Sequence, residues 1–190
     1  MSEPVAVNSF FEERLESLFN LAERVDRAFR AAGLDYRVVG GLAAYLYVEE
    51  AEPDAGRLTR DIDIVVRRED LERIAQAVEA FRLRYRHVAG VDMLVQAGDP
   101  ARRAVHMVFT GEKVRPEYPE PVPEIGAPQT LRGLRLIPLA DLVRMKLTSF
   151  RLKDQAHLQD LDEAGLITPN VEAALSPTLR ERLAEVRTRY

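Results

Sequence analysis

The chain has 190 residues, 46% hydrophobic and 31% charged, which suits one well-packed domain and excludes a disordered chain. It contains 0 cysteines, which excludes a disulfide framework and a thiolate metal site, and no apolar run reaches membrane-spanning length. A formal net charge of −4 excludes a uniformly basic nucleic-acid coat but not a local basic groove, and Met1–Phe11 lacks a signal-peptide pattern, so a cytoplasmic protein is expected.

Ser9 and Glu12 form an S-x-x-E capping box ahead of a long amphipathic helix. Phe11, Leu15, Leu18, Ala22, Val25 and Phe29 recur at helical spacing, and Gly33 is placed to stop the helix. Tyr36–Val39 reads as a short strand, Gly40-Gly41 as a turn and Leu42–Val48 as a helix. A strand that ends in glycines and turns straight into a helix leaves backbone N–H groups free at the positive helix end, which suits phosphate. Glu49–Arg57, rich in acids with Pro53 and Gly56, reads as an exposed loop.

Thr59–Val66 follows as a strand, with Asp61 and Asp63 on one face and Ile62 and Ile64 on the other. Two neighbouring carboxylates repel unless a cation lies between them, and hard oxygen ligands suit Mg²⁺ or Mn²⁺. A phosphate cradle beside metal-binding carboxylates points to phosphoryl or nucleotidyl transfer. Arginines cluster at Arg57, Arg60, Arg67 and Arg68, and again at Arg82, Arg84 and Arg86, as solvated surface or as a local basic groove.

Arg68–Asp70 open a helix with Leu71, Ile74, Ala75, Val78 and Phe81 inward, and Val91–Val95 and Ala104–Phe109 read as strands joined through a Gly98-Asp99-Pro100 turn. Five prolines between Val114 and Pro128 (Pro116, Pro119, Pro121, Pro123 and Pro128) predict an extended crossing, and Gly133–Ile137 an edge strand. Pro138 then starts a helix whose stripe of Leu139, Leu142, Val143, Leu147 and Phe150 includes Lys146. A lysine there either snorkels to the surface or meets a phosphate or carboxylate of a site. Past Arg151 and Lys153, Asp154, His157, Leu158 and Leu161 share one side of a helix, with Asp160 three residues after His157. This predicts a second cleft wall facing Asp61 and Asp63, or a plain cap for Asp154. Gly165 ends that helix, and Ser176-Pro177 opens a last one. The 3 histidines (His87, His106 and His157) show no H-E-x-x-H spacing, and no G-x-S-x-G elbow occurs.

Gly40-Gly41, a helix, and then Thr59-x-Asp61-Ile62-Asp63-Ile64 together resemble the DNA polymerase β-like nucleotidyltransferase superfamily. Leu142–Leu147, continued by Lys153-Asp154-x-x-His157-Leu158-x-Asp160-Leu161, is similar to the K-L…K-D-x-x-D-L motif of minimal bacterial nucleotidyltransferase-like proteins of the abortive-infection and toxin–antitoxin group. The resemblance spans Tyr36–Leu166 and implies an α/β (α+β) fold, a small mixed sheet flanked by helices. Residues 1–113 would form the core with its N-terminal helix, 114–133 a proline-rich crossover, and 134–190 a C-terminal helical part completing the cleft.

The resemblance further implies transfer of a nucleoside monophosphate from a nucleoside triphosphate to an RNA (tRNA-like) or protein hydroxyl, with a cognate toxin or antitoxin as a partner. Asp61 and Asp63 would hold two Mg²⁺ or Mn²⁺ ions, Gly40 and Gly41 the triphosphate; Lys146 and Arg151 would neutralise pyrophosphate, and Asp154, His157 and Asp160 would shape the far wall. The family places a third carboxylate where chain order here assigns His106. Either His106 replaces that ligand, or catalysis is lost and a nucleotide- or partner-binding module remains, or Asp92 or Glu112 supplies the acid. The loop between the glycines and the aspartates is longer than the family's and is expected to bulge outward.

Overall fold

Hydrophobic periodicity sets the first element: Leu21, Ala22, Val25, Ala28 and Phe29 recur at helical spacing and are all buried along helix α1 (Val5–Ala31). The computed structural model describes residues 5–57, 59–96, 98 and 104–189, with side chains from 13 onward. Helix α1 starts at Val5, ahead of Ser9, so the expected capping box does not mark its beginning; the Ser9 and Glu12 side chains lie outside the described residues. Its end is as expected. Gly33 adopts φ +61°, its N–H bonds to the Arg30 carbonyl, and the Leu34 N–H reaches back to Phe29 at 2.8 Å, closing a Schellman motif.

Strand β1 (Arg37–Val39) runs into helix α2 (Gly40–Ala51), and β2 (Ile62–Val66) returns antiparallel to β1. A short 3₁₀ turn at Arg68–Asp70 leads into α3 (Leu71–Glu79), followed by β3 (Leu83–Val88), β4 (Val91–Gln96) and β5 (Ala104–Phe109). The chain then crosses without regular structure to β6 (Gln129–Leu131) and β7 (Leu134–Leu136), and ends in α4 (Leu139–Ser149), α5 (Leu152–Glu163), α6 (Pro169–Ala173) and α7 (Pro177–Arg189).

The sheet has strand order β3-β4-β5-β2-β1-β7-β6 and is mixed, with β2/β5 and β1/β7 parallel and the other pairs antiparallel. This is the small mixed sheet with flanking helices that the motifs imply. Two elements differ from expectation. Strand β3 is absent from the sequence pattern, because most of its side chains are exposed; it pairs with β4 through Ala89 and Gly90, both at positive φ, a two-residue hairpin turn. The Gly133–Ile137 strand is not an edge: β7 lies between β1 and β6, and β6 takes the edge.

Helix α1 packs on α3 and β7, while α2 lies against β1 and β2 and meets α4 and α5; α7 closes on both of the latter. Among the described residues no helix is long and apolar enough to cross a membrane. The Tyr47 hydroxyl ties α2 to the β6/β7 end of the sheet, 2.7 Å from the Ile137 carbonyl and 3.0 Å from Gln129 Oε1. Tyr47→Phe strands that buried carbonyl and is expected to cost about 1 kcal/mol. A denaturant midpoint lowered at unchanged m-value would confirm the tie; an unchanged midpoint would refute it.

Candidate active site

The site begins where β1 stops. Val39 pairs with Asp63 across the β1/β2 ladder, so the chain leaving β1 must turn directly over that carboxylate. Gly40 makes the turn at φ +69°, and a Cβ there would stand 2.0 Å from Asp63 Oδ2, so only glycine fits. At Gly41 a Cβ would meet Thr59 Oγ1 at 2.4 Å and approach His157 Cε1 at 3.5 Å. Helix α2 therefore opens at the Asp63 carboxylate. Its N-cap, Val39, offers no side-chain acceptor, which leaves the first-turn N–H groups without a side-chain cap at the positive end of the helix.

Asp61 and Asp63 are half-buried and share a face, while Ile62 and Ile64 are buried on the other. The parallel β2/β5 ladder pairs Asp63 with His106, whose Nδ1 lies 3.4 Å from Asp63 Oδ1. The histidine thus stands beside the carboxylates. Hydrogen bonding to Asp63, reinforced by the charges of Asp63 and Asp61, holds its pKa above the ordinary value despite partial burial.

Neither substitute acid reaches this place. Asp92 pairs with Met107, one residue away from His106, and so faces the opposite side of the sheet. Its carboxylate is taken by the Tyr85 hydroxyl at 2.6 Å, His87 Nδ1 at 2.8 Å and Arg68 at 3.5 Å. Glu112 is held by both arms of Arg68, at 2.8 and 2.6 Å, and that guanidinium lies 3.4 Å over the Phe109 ring.

The helical half supplies the opposite wall. Lys146 is 4% exposed, so its charge needs partners: Nζ lies 3.2 Å from Asp154 Oδ1 and 2.9 Å from His157 Nδ1. Burial lowers the Lys146 pKa, opposed by Asp154 and Asp63. Burial alone would raise Asp154, but Lys146, Arg151 and Ser149 outweigh it and hold the carboxyl below its usual range. His157 is pushed down to about 4 by burial and by Lys146, so its ring is neutral and Nδ1 accepts a hydrogen bond from the Lys146 amine. Asp154 borders the cleft and also closes a capping box with Arg151 at the start of α5.

Gly40, Asp61, Asp63, His106, Lys146, Arg151 and Asp154 line one cleft of about 580 Å³, which Asp92 and Glu112 also border with their oxygens already engaged. His157 does not line it; it supports Lys146 and Gly41 from beneath. Asp160 lies outside, in a two-armed pair with Arg57 at 3.0 Å. Sequence reasoning passed over Lys153, whose Nζ sits 3.9 Å from Asp61 Oδ2, and Tyr118, Lys113 and Arg115 from the crossing segment, which also line the cleft. Lys153 was legible in principle as the neighbour of Asp154 in the second motif. Among the described residues no group of three His, Asp or Glu side chains forms a metal site by itself.

No family model matches the chain, and no curated protein is a significant sequence match. Among solved structures it is similar to ANT(2″)-Ia in complex with adenylyl-2″-tobramycin, at TM-score 0.53 and 14% identity over 90% of this chain and 97% of that one. A solution structure of the antibiotic-resistance factor ANT(2″)-Ia gives TM-score 0.48 at 13% identity, over 93% and 85%. JHP933 from Helicobacter pylori gives 0.43 at 11%, over 92% and 93%. The first of these likenesses establishes the fold, which is the nucleotidyltransferase fold that the sequence motifs imply.

The buried His157 ring carries a pH dependence of known sign. Unfolded, it takes up a proton near the ordinary histidine value of 6.5; folded, only near 4, so stability is present above the first value and lost as pH falls through the second. The loss over that window should be about 3 kcal/mol. Denaturation midpoints of the parent should fall steeply across it, and those of His157→Gln should not; parallel curves would contradict the assignment.

Proposed function

We propose that this protein transfers a nucleoside monophosphate from a nucleoside triphosphate to a hydroxyl of an RNA or protein acceptor. The observation that carries the reading is the glycine-only turn that opens a helix directly over Asp63, in one cleft with a buried lysine. The uncapped start of α2 suits the triphosphate. Lys146 and Arg151 suit the negative charge that gathers on departing pyrophosphate. Asp154 and His157 hold the Lys146 amine in place, and Ser149 steadies Asp154.

Asp61 and Asp63 fit a hard divalent cation, Mg²⁺ or Mn²⁺, which commonly binds through one or two carboxylates and completes its shell with substrate phosphates. Bound there, it would neutralise the charge between the carboxylates and the triphosphate. The acceptor oxygen attacks the α-phosphorus, the bond to the bridging oxygen breaks, pyrophosphate leaves, and the hydroxyl proton passes to the neutral His106 ring. A defence or toxin–antitoxin setting, with a cognate partner, belongs to the same proposal through the sequence resemblance.

A second reading has its own support. His106 stands beside Asp63 on β5, where the resemblance implies a third carboxylate, and a site that lacks that acid can hold nucleotide without turning it over. The readings separate in an assay of pyrophosphate release from each nucleoside triphosphate with Mg²⁺ or Mn²⁺ and total RNA or protein as acceptor. Transfer predicts turnover, lowered about 100-fold or more in Asp63→Asn and in Lys146→Met at retained fold. Binding without release under any acceptor supports the binding module; release that ignores both substitutions contradicts the site.

A further inference from the structure

The carboxylate end of the cleft continues into an open sheet face. Asp63, His106, Met93 and Arg86 are successive cross-strand partners from β2 through β5 and β4 to β3, so their side chains form one row on one face. Three strand spacings make that row about 14 Å long. Arg84 lies on the same face two residues before Arg86. The opposite face is the packed one, with Leu83, Leu94 and Val105 fully buried under α3 and its neighbours.

The row is accessible: Arg84 and Arg86 are exposed, and Met93 and His106 are half-exposed. At the hairpin end Val88 is 55% and Val91 42% exposed on this same face. Among the described residues neither Arg84 nor Arg86 has a hydrogen-bond or ion-pair partner, in contrast to Arg68, Arg57 and Arg151, which hold carboxylates. Two free guanidinium forks thus stand at one end of an apolar-lined path that ends at Asp63.

We infer that this face holds a single-stranded RNA acceptor, with backbone phosphates on Arg84 and Arg86 and its terminal hydroxyl at Asp63 and His106; the inference rests on the transfer reading. The arginine fork matches phosphate oxygens with two parallel bonds and repels a cationic acceptor. Met93, Val91 and Val88 offer apolar contact to sugars and bases. A flat row this narrow takes one strand and has no shape for a duplex, and unpaired ends and loops are what RNA presents to proteins. Charges on an edge strand also guard against pairing with another chain, so the experiment must separate the two roles.

The test is fluorescence anisotropy of a short 5′-labelled single-stranded RNA, titrated without nucleotide at salt between about 50 and about 200 mM. The proteins are the parent, Arg84→Gln/Arg86→Gln and Asp61→Asn/Asp63→Asn. Each phosphate contact on a single strand contributes about 0.7 to the salt slope, so the arginine double variant should lose about 1.4 together with most of its affinity. The aspartate variant should keep the parent's salt slope, because its changes touch no proposed phosphate contact, so a failure of the transfer chemistry leaves this result standing. An unchanged slope in the arginine variant would overturn the proposal. Equal binding of DNA of the same sequence, or of an acidic peptide, would also overturn it, as would a change in self-association alone.

Discussion

A missing side chain organises this molecule. Val39 and Asp63 face each other across the β1/β2 ladder, and the chain must leave β1 over the carboxylate. A Cβ at Gly40 would stand 2.0 Å from Asp63 Oδ2, so the backbone itself comes as close as any residue could. That approach sets where α2 begins, and so where its positive end lies relative to Asp61 and Asp63. The place of the positive helix end and the place of the carboxylate are therefore one geometric fact.

The second constraint is the cost of hiding an ammonium group. Lys146 sits on the apolar stripe of α4, where an isolated charge would cost several kcal/mol. It is tolerated because Asp154 supplies the counter-charge and the neutral His157 ring supplies an acceptor. Arg151 and Ser149 in turn occupy the remaining acceptor positions of Asp154. His157 also underlies Gly41, so the lysine, its supports and the glycine turn form one connected body across the two halves of the chain. Cleft geometry and fold stability consequently share the same residues.

Elements with strong periodicity or a sharp chemical demand could be read from sequence: the α1 stripe, the Gly33 stop, the glycine turn, the D-I-D-I strand and the lysine on the α4 stripe. Strand β3 could not, because an edge strand with exposed arginines lacks the alternating burial that marks a strand. Nor could the interior place of β7, which depends on a parallel pairing with β1 far away in sequence. Chain order assigned His106 to the place of the third carboxylate, and the β2/β5 register sets it beside Asp63. It could not exclude Asp92, because the one-residue offset that turns Asp92 to the other face is a matter of register. Asp160 looked like a cleft residue by its helical spacing from His157, yet it is drawn outward by Arg57 from the acidic loop.

The central claim is that the glycine turn and the two aspartates form one nucleotide site. Calorimetric titration of each nucleoside triphosphate with Mg²⁺ into the parent and into Asp61→Asn/Asp63→Asn tests it most directly. The account predicts metal-dependent binding to the parent for at least one triphosphate, abolished in the double variant while its thermal unfolding stays cooperative. Absence of binding to the parent, or binding of equal strength in both proteins, would contradict it.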